Sequence, residues 1–353
     1  MQNIQDPILV FDVAKVMLMA ALAFIFTISW TPLLTKYLYK YKLGKRIRTE
    51  GAPVYSKMHQ GKSGTPVMGG LLIWVTTLIF ALCFWFVSII FKGDILDRIN
   101  FLSRGQTLLP LGALVTAGIV GLIDDLFNVF GIGPKGGGLK MGQKLIVYLS
   151  IAAFGAYWFF YKLNWDLIHI PGLGDYNIGW YYIPLFIFVI VATSFSVNET
   201  DGLDGLAGGV LLMSYLSYAV ICFVQGKVDL AVFCAVIVGA LLAFLWFNIY
   251  PARFFMGDTG AMALGTTLGI IAMLTNTVFV LPIIAFPLVI ESGSVILQVL
   301  SKTIFGKKIF ISTPIHHHFE AQGWPETKVT MRFWVLSIVF ATIGLVIALI
   351  GAG

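Results

Sequence analysis

Apolar stretches of about 20 residues recur along this chain, and no other feature restricts its fold so severely. That length carries a helix across about 30 Å of hydrocarbon. Ten such windows are read, near 14–39, 67–91, 107–123, 143–161, 180–197, 206–225, 229–249, 260–277, 279–300 and 331–351. With 58% of residues hydrophobic and 11% charged, a soluble domain could not cover its surface. The expectation is an all-α polytopic membrane protein, one domain over residues 1–353. The first window is too long for a signal-peptide core, and no convincing small-residue cleavage site follows it, so it is read as a retained helix. Pro282, Pro287 and Glu291 interrupt the ninth, which is expected to be broken, with its carboxylate facing protein or water.

Alternating the loops between the two sides of the membrane puts most of the 23 Lys and Arg residues on one side, in the stretches Lys36 to Lys62, Lys135 to Lys144 and Lys302 to Arg332. The positive-inside rule makes that side cytoplasmic and leaves both termini outside. The net charge of +6 has no soluble basic domain to carry it, so nucleic acid is not an expected partner; anionic lipid or a phosphorylated substrate is. Cys83, Cys222 and Cys234 fall inside apolar windows, where a thiol acts as a small hydrophobe. On the outer side, residues 166–179 read as a small β-hairpin around Pro171 and Gly172, and His169 within it reads as structural.

Every dense polar cluster falls in a loop on the basic side. Lys62 to Gly70 joins a mobile cation to glycines that let backbone approach a ligand, or is a flexible helix entry. The third window ends in Asp124-Asp125; adjacent carboxylates repel unless a cation or proton intervenes, which suits a Mg²⁺ site, an acid/base group or a hydrated helix end. Asn198, Asp201 and Asp204 share an arc if their segment is helical, and Gly202 and Gly205 permit a turn if it is not. These acids on a basic face suit sugar hydroxyls, base N–H groups or metal. Asn248 to Gly260 carries Phe254 and Phe255, interfacial anchors or a stacking platform, and Asp258, which alone reads equally as a helix N-cap. His316, His317 and His318 point in different directions, which disfavours one metal and suits a pyrophosphate pocket.

Taken in order, Gly64-Thr65-Pro66 with Met68-Gly69-Gly70, Asp124-Asp125, Asn198 through Gly205, Phe255 through Gly260, and Pro314 through Glu320 resemble the polyprenyl-phosphate N-acetylhexosamine-1-phosphate transferase superfamily. The triple histidine followed by Phe-Glu is similar to its phospho-N-acetylmuramoyl-pentapeptide-transferase branch. The resemblance runs from about residue 40 to the C-terminus. It implies ten helices, a cytoplasmic-membrane enzyme of peptidoglycan synthesis with its site facing the cytoplasm, and commonly a homodimer. It also implies Mg²⁺-dependent transfer of phospho-N-acetylmuramoyl-pentapeptide from UDP to undecaprenyl phosphate, giving lipid I and UMP. Carried over by motif, Asp258 ligates Mg²⁺ with Asp124 and Asp125 beside it. Asn198, Asp201 and Asp204 line the nucleoside pocket, Phe255 stacks near uracil, and Lys62 approaches uracil or phosphate. Asn248, Gly257, His316, His317 and His318 complete the sugar-phosphate region.

Three positions depart from the family pattern. Val67 stands where Thr is usual, Asn128 replaces a common Lys and shifts phosphate binding toward Lys140 or Lys144, and Glu199 replaces an apolar residue. A secondary transporter would instead need charges near span centres and a repeat between halves. The acids of these clusters sit at span ends, and no repeat between halves is visible in the sequence.

Overall fold

Where the sequence is apolar for five or more turns, the computed structural model is helical; it describes residues 7–44, 62, 64–91, 93–133 and 137–351. Much of the basic first loop, residues 45–61 and 63, and residues 134–136 within the second basic stretch lie outside the described residues. The helices are α1 (Pro7–Lys40), α2 (Leu71–Phe91), the short α3 (Asp94–Ile99), α4 (Leu108–Phe130), α5 (Met141–Tyr157), α6 (Tyr182–Thr200) and α7 (Leu206–Val224). They continue with α8 (Val228–Asn248), α9 (Gly257–Leu274), α10 (Leu281–Ile284), α11 (Phe286–Phe305), α12 (Ile315–Ala321) and α13 (Glu326–Ile350). Ten helical stretches among the described residues are long and apolar enough to span a bilayer.

The ninth span is broken as its prolines require. Pro282 and Pro287 occupy the first turns of α10 and α11, where a missing amide costs nothing, and Ala285 between them is not helical. Glu291 is fully buried in protein. The third span differs from expectation: α4 does not stop at the paired carboxylates but runs on through Leu126, Phe127 and Val129 to Phe130. Gly131, in the left-handed conformation with φ 71°, ends it. Asp124 and Asp125 therefore sit on a rigid helix, more than a turn from its end.

The centre of the bundle is α9, almost entirely buried, which packs against α4 and α6. Peripheral α1 and α13 expose large apolar side chains such as Met17, Ile25, Met331 and Val335, as helices facing hydrocarbon do. Between α6 and the broken span lies an apolar cavity of about 210 Å³, lined by Leu185, Phe188, Pro282, Ala285 and Leu288 among others. At the opposite end from the polar loops, β1 (Leu167–Ile170) and β2 (Gly174–Asn177) form the expected antiparallel hairpin, with Ile168 opposite Tyr176. His169 is structural there: its ring nitrogens reach Asp175 Oδ1 at 2.8 Å and the Gly351 carbonyl at 2.7 Å.

Small residues let α4 approach α9. A Cβ on Gly121 would lie 2.3 Å from the Asp258 carbonyl oxygen, so the helices touch backbone to backbone beside the carboxylates. Gly121→Val should force them apart and destabilise the protein by about 1–3 kcal/mol. Thermal melting in detergent measures this, and an unchanged midpoint would contradict the close contact.

Candidate active site

A helix begins with amide N–H groups that lack intrahelical partners, and a carboxylate satisfies them well. At the start of α9 that carboxylate comes from another helix. Asp125 Oδ1 accepts the Asp258 amide and Oδ2 the Thr259 amide, both at 3.0 Å. Gly257 must turn sharply for this, with φ 75°, and a Cβ there would lie 2.6 Å from Asp125 Oδ2. Asp258 is thus not the cap of its own helix. Its side chain is left for other work.

That work is shared with α5. The Lys144 ammonium lies between two carboxylates, 2.8 Å from Asp124 Oδ2 and 2.6 Å from Asp258 Oδ1. Asn198, in the last turn of α6, donates its amide to the same Asp258 oxygen, and the Leu139 amide donates to Asp124 Oδ1. Adjacent residues on a helix point about 100° apart, which is why Asp124 and Asp125 face different partners. Lys140 is exposed at the start of α5.

The helical arc considered for residues 198–204 does not form. The helix ends at Thr200, and 201–205 make a turn, the alternative that the glycines allow. Asp201 Oδ2 accepts the Gly257 amide at 3.0 Å, joining this turn to the carboxylate cluster. Asp204 accepts the Ala252 amide at 2.9 Å and the Lys62 ammonium at 2.6 Å. Lys62 is also paired with Glu326, at the start of α13. It is not the mobile cation that its loop suggested. Burial alone would lower its pKa, but Glu326 and Asp204 outweigh that and hold it above its ordinary 10.5. At the alkaline end the ion pairs are therefore lost only as pH rises past the raised value, and at the acid end they are lost as their carboxylates are protonated. The ammonium lies 5.7 Å from the centre of the Phe255 ring.

Of the two phenylalanines, only half-buried Phe255 can offer a face to a ligand. Phe254 is fully buried against Phe244 and Phe247. The Phe255 backbone is pinned on both sides, its amide donating to the Pro66 carbonyl and its carbonyl accepting the Gly69 amide, each at 2.8 Å. Val67 is buried in this pairing. Asn248 is buried as well, accepting the Gly205 amide at 3.0 Å and donating to the Phe254 carbonyl at 2.8 Å. Its amide group stitches two loops together instead of lining the pocket.

The three histidines diverge as their succession requires. His316 Nδ1 lies 2.8 Å from Glu291 Oε2, inside the bundle, with its ring against Gly202. His317 pairs with Glu320 at 2.7 Å. His318 accepts the Ile311 amide and meets Gln322. Of the three, His316 most directly adjoins the 201–205 turn.

The cluster of Asp124, Asp125 and Asp258 against Lys144 leaves negative charge in excess. Its donors are hard oxygens, and the ammonium already marks where positive charge is required. Among the described residues no three His, Cys, Asp or Glu side chains form a metal cage. Two carboxylates completed by phosphate oxygens and water are what Mg²⁺ characteristically uses, so the residues fit that ion. Asp125, with both oxygens on backbone amides, fits as the anchor of the helix carrying Asp258.

The structure thus brings Asp124, Asp125, Lys144, Asn198, Asp201, Gly257 and Asp258 into one network, continued by Asp204, Lys62 and Phe255. Sequence reasoning missed Glu326. Its position after Pro325 reads as an ordinary acidic helix start, and only that generic signal marks it.

Residues 107–276 match the family model described as glycosyl transferase family 4. Over 330 residues the chain is 39% identical to the phospho-N-acetylmuramoyl-pentapeptide-transferase of Geobacillus thermodenitrificans, covering 93% of this chain and 96% of that protein. The protein of the same name from Chloroflexus aurantiacus is 37% identical over 356 residues, 97% of this chain and 92% of its own. That from Clostridium perfringens is 39% identical over 330 residues, 93% and 97% respectively.

If Asp125 secures the start of α9, Asp125→Ala leaves two amides unpaired and costs about 1–3 kcal/mol. Its melting midpoint in detergent should fall further than that of Asp258→Asn. The reverse order would show that the helix start does not depend on Asp125.

Proposed function

The chain belongs to the phospho-N-acetylmuramoyl-pentapeptide-transferase family, and from that premise we propose that it transfers phospho-N-acetylmuramoyl-pentapeptide from UDP to undecaprenyl phosphate, releasing UMP. An oxygen of the acceptor phosphate bonds to the sugar-bearing phosphorus of the donor. The bond from that phosphorus to UMP breaks, and UMP leaves with the electron pair. What carries this reading is the network that joins the Lys144, Asp124 and Asp258 cluster, through Gly257 and Asp201, to the turn holding Asp204 and Lys62 beside Phe255. One end has the carboxylates to hold a cation for a pyrophosphate, and the other an aromatic face for a base.

Attack by one phosphate on another brings anions together, and relieving that repulsion is the catalytic problem. Mg²⁺ held by Asp258 and Asp124 would supply charge neutralisation at the pyrophosphate. Lys144, ion-paired with both carboxylates, supplies a second positive charge toward the phosphate oxygens. Asn198 keeps the Asp258 carboxylate oriented, and Asp125 fixes the helix that presents it. Phe255 offers its ring to uracil, with Lys62 and Asp204 at its edge as donor and acceptor. His316, fully buried between Glu291 and Gly202, backs the same turn. Direct displacement, with Asp124 beside the acceptor phosphate, is the route favoured here.

The acceptor arrives sideways from the bilayer. The cavity between α6 and the broken ninth span is apolar and its lining reaches Ser196, two residues before Asn198, which suits a prenyl chain. The basic loops at the same rim support a site on the cytoplasmic side of the bacterial cytoplasmic membrane. There the lysines also favour approach of an anionic donor.

Purified protein in detergent, given undecaprenyl phosphate and UDP-N-acetylmuramoyl-pentapeptide, should release UMP only with Mg²⁺. UDP-N-acetylglucosamine should not replace that donor. Asp258→Ala should slow turnover by about 100-fold or more. Robust turnover by this variant would refute the role given to Asp258, and preference for the other donor would refute the substrate.

A further inference from the structure

The face of α13 toward the site carries Glu326, Thr330 and Trp334 at intervals of four residues, on one side of a helix. All three grip the same turn. Glu326 Oε1 accepts the Asp204 amide at 2.7 Å, Thr330 Oγ1 donates to the Asp204 carbonyl at 3.2 Å, and Trp334 Nε1 donates to the Gly205 carbonyl at 3.0 Å. Glu326 alone reaches further, because the same oxygen also pairs with the Lys62 ammonium. Its side chain is 11% exposed and that of Lys62 20%, so the pair is largely withdrawn from water.

An unrestrained lysine is a flexible stem carrying a point charge and, left to itself, would sample many positions. Two carboxylates converging from different elements remove that freedom. They hold the ammonium at the Phe255 ring, while Glu326 also sets the backbone of the turn that carries Asp204. A planar base laid on Phe255 would then meet a fixed donor and a fixed acceptor.

We propose that Glu326 is a positioning residue for the nucleobase end of the donor, acting through Lys62 and Asp204 without touching the reacting phosphates. The proposal rests on the transferase reading above for the identity of the donor, a uridine nucleotide. Because Lys62 is committed to two carboxylates, its part is recognition of the base, and neutralising the phosphates falls to the Lys144 cluster.

Two measurements test it: steady-state kinetics with each substrate varied in turn, and UMP binding by calorimetry. Both use wild type, Glu326→Gln, Lys62→Met and the double variant. Gln keeps an oxygen for the Asp204 amide and removes only the charge, so the fold is retained. Glu326→Gln should raise KM for the UDP donor and Kd for UMP about tenfold, the scale of one charged contact. Its kcat and its KM for the lipid acceptor should stay within about twofold of wild type, since the phosphate end is untouched. In the Lys62→Met background the same change should add less than about twofold, because its effect runs through Lys62. An unchanged donor KM and UMP affinity would overturn the proposal. So would a full tenfold effect without Lys62, or a parallel loss of kcat and both KM values. If wild type binds UMP but turns over no muramoyl-pentapeptide donor, the transferase reading fails while the UMP arm still decides the role of Glu326. Failure of wild type to bind UMP overturns both.

Discussion

The ammonium of Lys144 between Asp124 and Asp258 is the contact on which the site's geometry depends. Three helices meet there. Without a positive charge at this point, carboxylates from α4 and α9 would repel across a gap small enough for one nitrogen to bridge, inside a rim with little water to screen them. With it, one ammonium is set against two carboxylates, and the negative charge left over suits a further cation. The arrangement explains why an apolar bundle keeps so many acids at one end.

Around that point the protein divides its labour by rigidity. The charge-handling groups stand on helices: Asp124 inside α4, Lys144 in α5, Asn198 in the last turn of α6 and Asp258 in the first turn of α9. The groups beside Phe255 stand on turns and loops, yet these are bound almost as tightly by backbone pairing with residues 66–70 and by the side chains of α13. Asp201, reaching from the turn to the Gly257 amide, keeps the two parts in register. Asp125 does the complementary task for α9, and the absence of a side chain at Gly121 and Gly257 makes room for it.

Much of this was legible in the sequence. The ten spans follow from hydropathy, the break in the ninth from Pro282 and Pro287, and the β-hairpin from the turn residues around Gly172. The residue types of the site were legible too, because acids and histidines at membrane boundaries are costly without a purpose. Their partnerships were not. Nothing in the pair Asp124-Asp125 says which carboxylate meets a lysine and which a helix start, since that is decided by where α9 lies. Asn248 and Phe254 look as available as Asn198 and Phe255 until tertiary packing buries them. Lys62 reads as mobile because its two carboxylates come from positions 142 and 264 residues away. The extension of α4 past Asp125 is not legible, because adjacent charges after an apolar run read as a helix end.

The claim at the centre is that Asp124 and Asp258 together define the cation position. Crystals of the protein soaked with Mn²⁺, a scattering substitute for Mg²⁺, test it through anomalous diffraction. The account predicts a peak at these two carboxylates that disappears in Asp258→Ala. A strong peak at other carboxylates, or one at this position that survives the substitution, would contradict it.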